Sequence, residues 1–305
     1  MGATIGLAMG IDVVEEDTLP GAEVLLRHAD GAMLRAKQEG KRRIGRMRAS
    51  REPARQAHIR RRLASAVDES ALSLQYQPVL DLATGEDAGV EALVRWDDQE
   101  IGPVGPDEFI PVAEHTGQIL RIGAWVLDQA CAQSRAWTDA GTPRKIAVNV
   151  SPVQIAAGTL PSDIRAALGR HGVPAGMLEI EITEGIAIAD VPAAASQLRE
   201  LIEMGLGVAL DDYGSAYSSL AMLRVLPLTT LKIDKAFIRD IDVEPHVATI
   251  VRGLIQTLNS MGVRVTAEGV ERQEQLDILH DLGCDTAQGY LISRPMAPAE
   301  FGSTK

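Results

Sequence analysis

The stretch LSLQYQPVLDLATGEDAGVEALVRW, residues 72–96, decides the fold. It reads as two strands, Leu72–Leu82 and Gly89–Trp96, joined only by Ala83-Thr84-Gly85-Glu86-Asp87-Ala88. Two parallel strands need a crossover of about a dozen residues or more, whereas antiparallel strands close through a short turn. The linker is too short for a crossover, so these two strands form a hairpin and run in opposite directions.

Outward from this pair the sequence keeps a regular beat of short apolar runs ending in polar residues. Further strands are expected at Lys145–Ser151, Met177–Thr183, Gly207–Tyr213, Thr230–Asp234, Arg264–Gly269 and Thr286–Ser293. Helical patterns fall between them, near 107–139, 153–170, 190–204, 216–224, 244–261 and 271–281. The breaks HGVP, EMGLG and SMGVR mark turns from helix to strand. Eight strands alternating with helices predict an α/β fold, a TIM-like (β/α)8 barrel with its first strand antiparallel to the rest.

Composition bounds the rest. The chain has 305 residues, 46% hydrophobic and 24% charged, with a net charge of −12. Residues 1–62 carry 13 Lys/Arg against 8 Asp/Glu, and residues 63–305 carry 17 against 34. The larger part is therefore acidic, which argues against a nucleic-acid polymer as partner. Cys131 and Cys284 stand far apart in no CxxC pair, as in a chain kept in a reducing cytoplasm. No apolar run approaches the ~20 residues of a membrane span, and no signal peptide is expected at the start.

The first 70 residues do not fit the barrel. ATIGLAMGI reads as a strand and GAEVLLRHADGAMLRAKQEG as a helix, a short strand-helix fragment. The run from Arg35 to Arg62 holds twelve Lys/Arg and no aromatic residue, which fits a solvated helical linker better than a base-stacking surface.

In barrels of this class the site lies where the strands end. The polar residues expected there are Gln77, Glu91, Arg95, Asn149, Ser151, Glu179, Glu181, Glu184, Asp211, Asp212, Lys232, Asp234, Glu268 and Gln288. So many carboxylates directed into a barrel would be severely destabilising without counter-charge, and one Lys232 is too little. An oxygen-rich set with one Asn and no clustered His or Cys selects a hard divalent ion: Mg²⁺, Mn²⁺ or Ca²⁺. In GVALDDYG, residues 207–214, two aspartates meet at a strand end; if pleating breaks down there, both turn inward and one bridges two metals. His280-Asp281 is expected on a helix surface, and Trp96, Trp125 and Trp137 in packing roles.

Taken together, YQPVLDLATG, EALVRW, FIPVAE, VNVS, EITE, DDYGSAYSSL, LKIDK, AEGVE and QGYLISRP resemble the EAL-type cyclic di-GMP phosphodiesterases of bacteria. TIGLAMGI and LLRHADGAMLRAKQEGKRRI resemble the tail of a GGDEF cyclase domain without its signature loop, which implies a piece of a longer GGDEF–EAL protein with no cyclase activity of its own. The resemblance divides the chain into a GGDEF-like fragment at 1–45, a basic helical linker at 46–70 and an EAL barrel at 71–305. It implies two Mg²⁺ or Mn²⁺ ions held by Glu91, Asn149, Glu181, Asp211 and Asp212, with Asp211 bridging. Lys232 would orient the attacking water and Glu268 would act as general base or its helper. Glu184 would steady the loop Asp212–Ser219. Gln77 and Arg95 would contact substrate, Gln288 would support the metal-water network, and Asp234 would partner Lys232. Implied with these are a homodimer, upstream GGDEF or sensor domains, and hydrolysis of cyclic di-GMP to linear 5′-pGpG. The family's Phe-Gly-Thr-Gly is replaced by Tyr213-Gly214-Ser215-Ala216, and Ala216 resists the φ > 0 that glycine permits. A catalytically weak or silent cyclic di-GMP receptor is the alternative; an enolase-type Mg²⁺ barrel would need a capping domain larger than residues 1–70.

Overall fold

The computed structural model describes residues 5–7, 44–46, 51–183, 191–214 and 222–301. The chain divides into two units, 1–61 and 62–305. In the first, β1 (Ile5–Leu7) pairs in parallel with β2 (Ile44–Arg46). The strand read in ATIGLAMGI is thus present in part. Strand β2 lies in the basic run, where no strand was expected. The amphipathic helix read over residues 21–40 lies outside the described residues. Helix α1 (Arg51–Leu63) falls within residues 46–70.

The second unit is the barrel. Its strands are β3 (Leu72–Asp81), β4 (Asp87–Asp98), β5 (Gly102–Val104), β6 (Ile146–Val150), β7 (Leu178–Thr183), β8 (Gly207–Tyr213), β9 (Thr230–Ile233), β10 (Arg264–Ala267) and β11 (Thr286–Ala287). Among the described residues the sheet runs β3-β11-β10-β9-β8-β7-β6-β4-β5, and β3 also pairs with β4, which closes eight strands into a ring. Strand β3 is antiparallel to both neighbours, β4 and β11, while β4 and β6 to β11 run in parallel. The six-residue linker therefore does what its length requires.

The structure departs from the sequence reading in four places. Strand β5 folds back on the end of β4, an extra hairpin the apolar pattern did not reveal. The helix expected over 107–139 is two, α2 (Pro106–Thr116) and α3 (Ile119–Asp139), parted by Gly117 at φ +75. That conformation stops α2 with a cap bond from the Gly117 N–H to the Glu114 carbonyl. Likewise 153–170 splits into α4 (Pro152–Ala156) and α5 (Leu160–His171). The last strand leaves the ladder after Ala287 rather than reaching Ser293. Helices α6 (Val191–Glu203), α7 (Lys235–Ile238), α8 (Pro245–Ser260) and α9 (Gln273–Asp281) complete the unit. Of the helix read near 216–224, the described residues show a 3₁₀ turn at Met222–Arg224.

Strand alternation sorts the side chains. On β7, Leu178, Ile180 and Ile182 are buried with Val208, Leu210, Leu231, Ile233 and Val265 of the neighbouring strands, in the layer beneath the helices. Glu179 and Glu181 take the opposite face and line the barrel interior with Lys232, Thr266 and Thr286. The apolar core thus lies between strands and helices, and the barrel axis is polar. Trp96 packs edge-on to Phe109 at 5.6 Å, and Trp137 packs between Tyr76 and Phe301, as expected of packing residues.

Candidate active site

Adjacent strands bring the predicted residues to one mouth of the barrel. Gln77 on β3 faces Glu91 on β4, Asn149 on β6 is level with Glu181 on β7, and Thr266 on β10 is level with Lys232 on β9. Glu268 and Gln288 follow directly on the last residues of β10 and β11.

Lys232 is the centre. Its Nζ lies 2.7 Å from Glu268 Oε1, 2.9 Å from Glu181 Oε1, 3.1 Å from Asp211 Oδ1 and 3.3 Å from Glu91 Oε2. Glu91 also accepts hydrogen bonds from Asn149 Nδ2 at 2.7 Å and Gln288 Nε2 at 2.7 Å. Gln288 Nε2 further donates to Gln77 Oε1 at 3.1 Å, and Gln77 Nε2 to the Ser293 carbonyl at 3.0 Å. Gln77 is thereby engaged with Gln288 and the Ser293 backbone and is itself buried.

The paired aspartates are explained by the backbone. Strand β8 slips in register against β9 between Leu210 and Tyr213, and Asp212 sits at φ +56. A non-glycine residue there carries a strain of about 1–2 kcal/mol that Asp tolerates better than most. The bulge breaks the alternation, so Asp211, Asp212 and Glu268 each bring a carboxylate oxygen within 4.8 Å of the others.

Electrostatics show that this ring lacks positive charge. Burial pushes the Glu181 carboxyl well above the usual range, and the Glu91 charge adds to it. Burial likewise pushes Glu268 up to about 8, with Lys232 opposing and Asp211 and Glu91 reinforcing. Asp212 is raised by burial and by Asp211 and Asp234. Burial disfavours the charged forms of Lys232 and Glu91 too, yet the carboxylates raise Lys232 well above its ordinary value, and Lys232, Gln288 and Asn149 hold Glu91 below its own. Glu181 Oε2 is buried without a hydrogen-bond partner among the described residues, and Asp211 Oδ1 lies near Lys232 without hydrogen-bond geometry. Orphaned carboxylate oxygens in an oxygen-only donor set fit a hard divalent cation.

Two expectations change. Asp234 does not pair with Lys232: its Oδ1 accepts the Ala236 N–H at 2.8 Å and caps α7, while the Lys232 ion pairs go to four other carboxylates. Glu179 shares the face of Glu181 but binds Lys145 Nζ at 2.5 Å and Thr230 Oγ1, away from Lys232. Glu184 and Ala216 lie outside the described residues. Arg95 is half-buried; its Nε donates to Gln75 Oε1 at 2.9 Å and its Nη1 to the Val94 carbonyl. It lines a largely apolar cavity of about 370 Å³ with Leu93, Ile110, Pro111 and Asn149. Sequence reasoning named Ser151 but missed its tie, Oγ donating to Glu114 Oε1 at 2.6 Å on this cavity's wall; the cue to the partner was the glutamate of FIPVAE.

Known proteins resemble this chain in sequence and fold. The chain is 38% identical over 299 residues to the bifunctional diguanylate cyclase/cyclic di-GMP phosphodiesterase MucR of Pseudomonas aeruginosa, covering 97% of this chain and 43% of that protein. It is 35% identical over 305 residues to the cyclic di-GMP phosphodiesterase PA2567 of the same species, covering 98% of this chain and 51% of that protein. The chain thus spans about half the length, or less, of these curated relatives. A solved structure of the PaMucR phosphodiesterase in complex with c-di-GMP superposes with a TM-score of 0.75 at 40% identity, over 80% of this chain and 99% of that one. The family description "EAL domain" matches residues 60–295, so the chain belongs to the EAL domain family.

Proposed function

We propose that this chain hydrolyses one phosphodiester bond of cyclic di-GMP to give linear 5′-pGpG, with two Mg²⁺ or Mn²⁺ ions at the site. The observation that carries the reading is the ring of Glu91, Glu181, Asp211 and Glu268 around one buried ammonium, with a carboxylate oxygen left unpartnered. The family implies divalent metal use, and Glu91, Asn149, Glu181, Asp211 and Asp212 would hold the ions. Bound there, they would lower the pKa of a water and stabilise charge on the phosphorane-like transition state.

The chain's own residues do the rest. Lys232, kept charged by its carboxylate neighbours, orients the attacking water and offsets developing negative charge. Glu268, whose Oε1 lies 2.7 Å from Lys232 Nζ, accepts the water proton as the new O–P bond forms, and the bond to the leaving sugar oxygen breaks with that oxygen taking a proton from solvent. Arg95, fixed by Gln75, presents its remaining donors to a phosphate. The homodimer, the GGDEF-like character of residues 1–45 and the linker at 46–70 belong to the same reading. The assay is chromatography of cyclic di-GMP incubated with the protein and Mn²⁺. A pGpG peak is expected, and none at high protein concentration refutes the activity.

A further inference from the structure

Gln275 on α9 is 1% exposed. Its Oε1 accepts the N–H groups of Glu271 at 2.9 Å and Arg272 at 3.0 Å, and its Nε2 donates to the carbonyls of Ile238 and Arg239, each at 3.1 Å. A primary amide offers two acceptor positions and two donor protons, so every one is used. These bonds join the segment that begins at Glu268, after β10, to the end of α7, the helix that follows β9 and Lys232. Arg272 adds a second tie. Its Nη2 reaches the Arg239 carbonyl at 2.6 Å and Asp242 Oδ1 at 2.5 Å, and its Nε reaches Asp242 Oδ2 at 2.9 Å.

Between Glu268 and this tie the chain has little slack. Gly269 adopts φ +67, and a Cβ there would lie 2.4 Å from Lys235 Cβ, the first residue of α7. The Val270 N–H binds the Gln288 carbonyl at 3.0 Å, and its carbonyl accepts the Leu291 N–H at 3.0 Å. A Cβ on Gly289 would meet the Val270 backbone at 2.1 Å. Glu268 is thus held from the β9 side and from the segment after β11, and Gln275 locks the two outgoing segments in one arrangement.

We infer that Gln275 is a positioning residue: it sets Glu268 against Lys232 without touching the reacting atoms. The inference rests on the phosphodiesterase reading above. Steady-state hydrolysis of cyclic di-GMP by the full chain tests it. Gln275→Met, similar in size but with no amide, should lower kcat about tenfold or more while KM stays within about twofold. Leu198→Ala, a fully buried position on α6, serves as a control that destabilises by cavity formation and should keep kcat within about twofold below its melting range. Where Gln275→Met does not fold, Arg272→Lys keeps the charge but loses the fork on Asp242, and a drop in kcat of about threefold is expected. A Gln275→Met enzyme with unaltered kcat, or with losses that track its melting temperature, overturns the proposal. A crystal structure of Gln275→Met reads the same claim without turnover. Separation of Glu268 from Lys232 beyond about 4 Å is expected, and the 2.7 Å contact retained overturns it. Wild-type protein that makes no pGpG defeats the phosphodiesterase reading alone, and the crystallographic comparison then decides for Gln275.

Discussion

At Lys232 one ammonium pairs with four carboxylates and offsets their mutual repulsion, and only 3% of its side chain is exposed. Removing one partner of a buried ionic cluster leaves the others uncompensated, at about 3–5 kcal/mol. Lys232→Met should therefore abolish turnover and also lower the unfolding midpoint of the metal-free protein; a fully active Lys232→Met enzyme would contradict the account. The pH dependence follows from Glu268. Its folded pKa of about 8 stands above its ordinary 4.5, so its stabilising contribution is complete below 4.5 and is lost as pH rises through 8. Glu181 and Asp212 are shifted in the same sense. The metal-free melting temperature should accordingly fall between pH 6 and pH 9, and saturating Mg²⁺ should suppress the fall. Scanning calorimetry with and without EDTA checks this, and a metal-free melting temperature that rises over that interval contradicts it.

At the scale of elements, the β4–β5 turn depends on Asp98. Its Oδ1 accepts the N–H groups of Glu100 and Ile101, and its Oδ2 accepts Arg62 Nε at 3.0 Å. Burial opposes the charge, but these bonds outweigh it and hold the carboxyl below its ordinary value. Stability from this group is present above the ordinary value and is lost as pH falls through the folded one. Asp98→Ala should cost about 2–4 kcal/mol in urea unfolding, and Asp98→Asn, which keeps the turn bonds, less; equal costs would show that the ion pair with Arg62 matters more than the turn. This turn was invisible in the sequence because a three-residue strand has too little pattern to read. The reversed β3 was legible because six residues cannot make a crossover. The carboxylate ring was legible because strand ends share one face of a barrel. The positive φ of Asp212 was not: DDYG gives a turn signal without saying which residue bends. The capping role of Asp234 was hidden for a similar reason, since LKID names the residue but not its partner.

At the scale of the molecule, residues 62–305 form a closed barrel and contain every residue placed at the site. A protein truncated to 62–305 should therefore melt cooperatively and retain turnover within about threefold; loss of folding on truncation would mean that the barrel depends on the preceding residues. The polar interior and the apolar outer layer explain why such a barrel tolerates its charge: packing is supplied between strands and helices, and the axis is free to carry chemistry.

The most direct measurement is anomalous diffraction at the manganese edge from crystals soaked in Mn²⁺. The account predicts anomalous peaks about 2.0–2.4 Å from carboxylate oxygens of Asp211, Asp212 and Glu181, with Lys232 still against Glu268. A saturated crystal with no peak among those oxygens, and the carboxylates arranged as without metal, would contradict it.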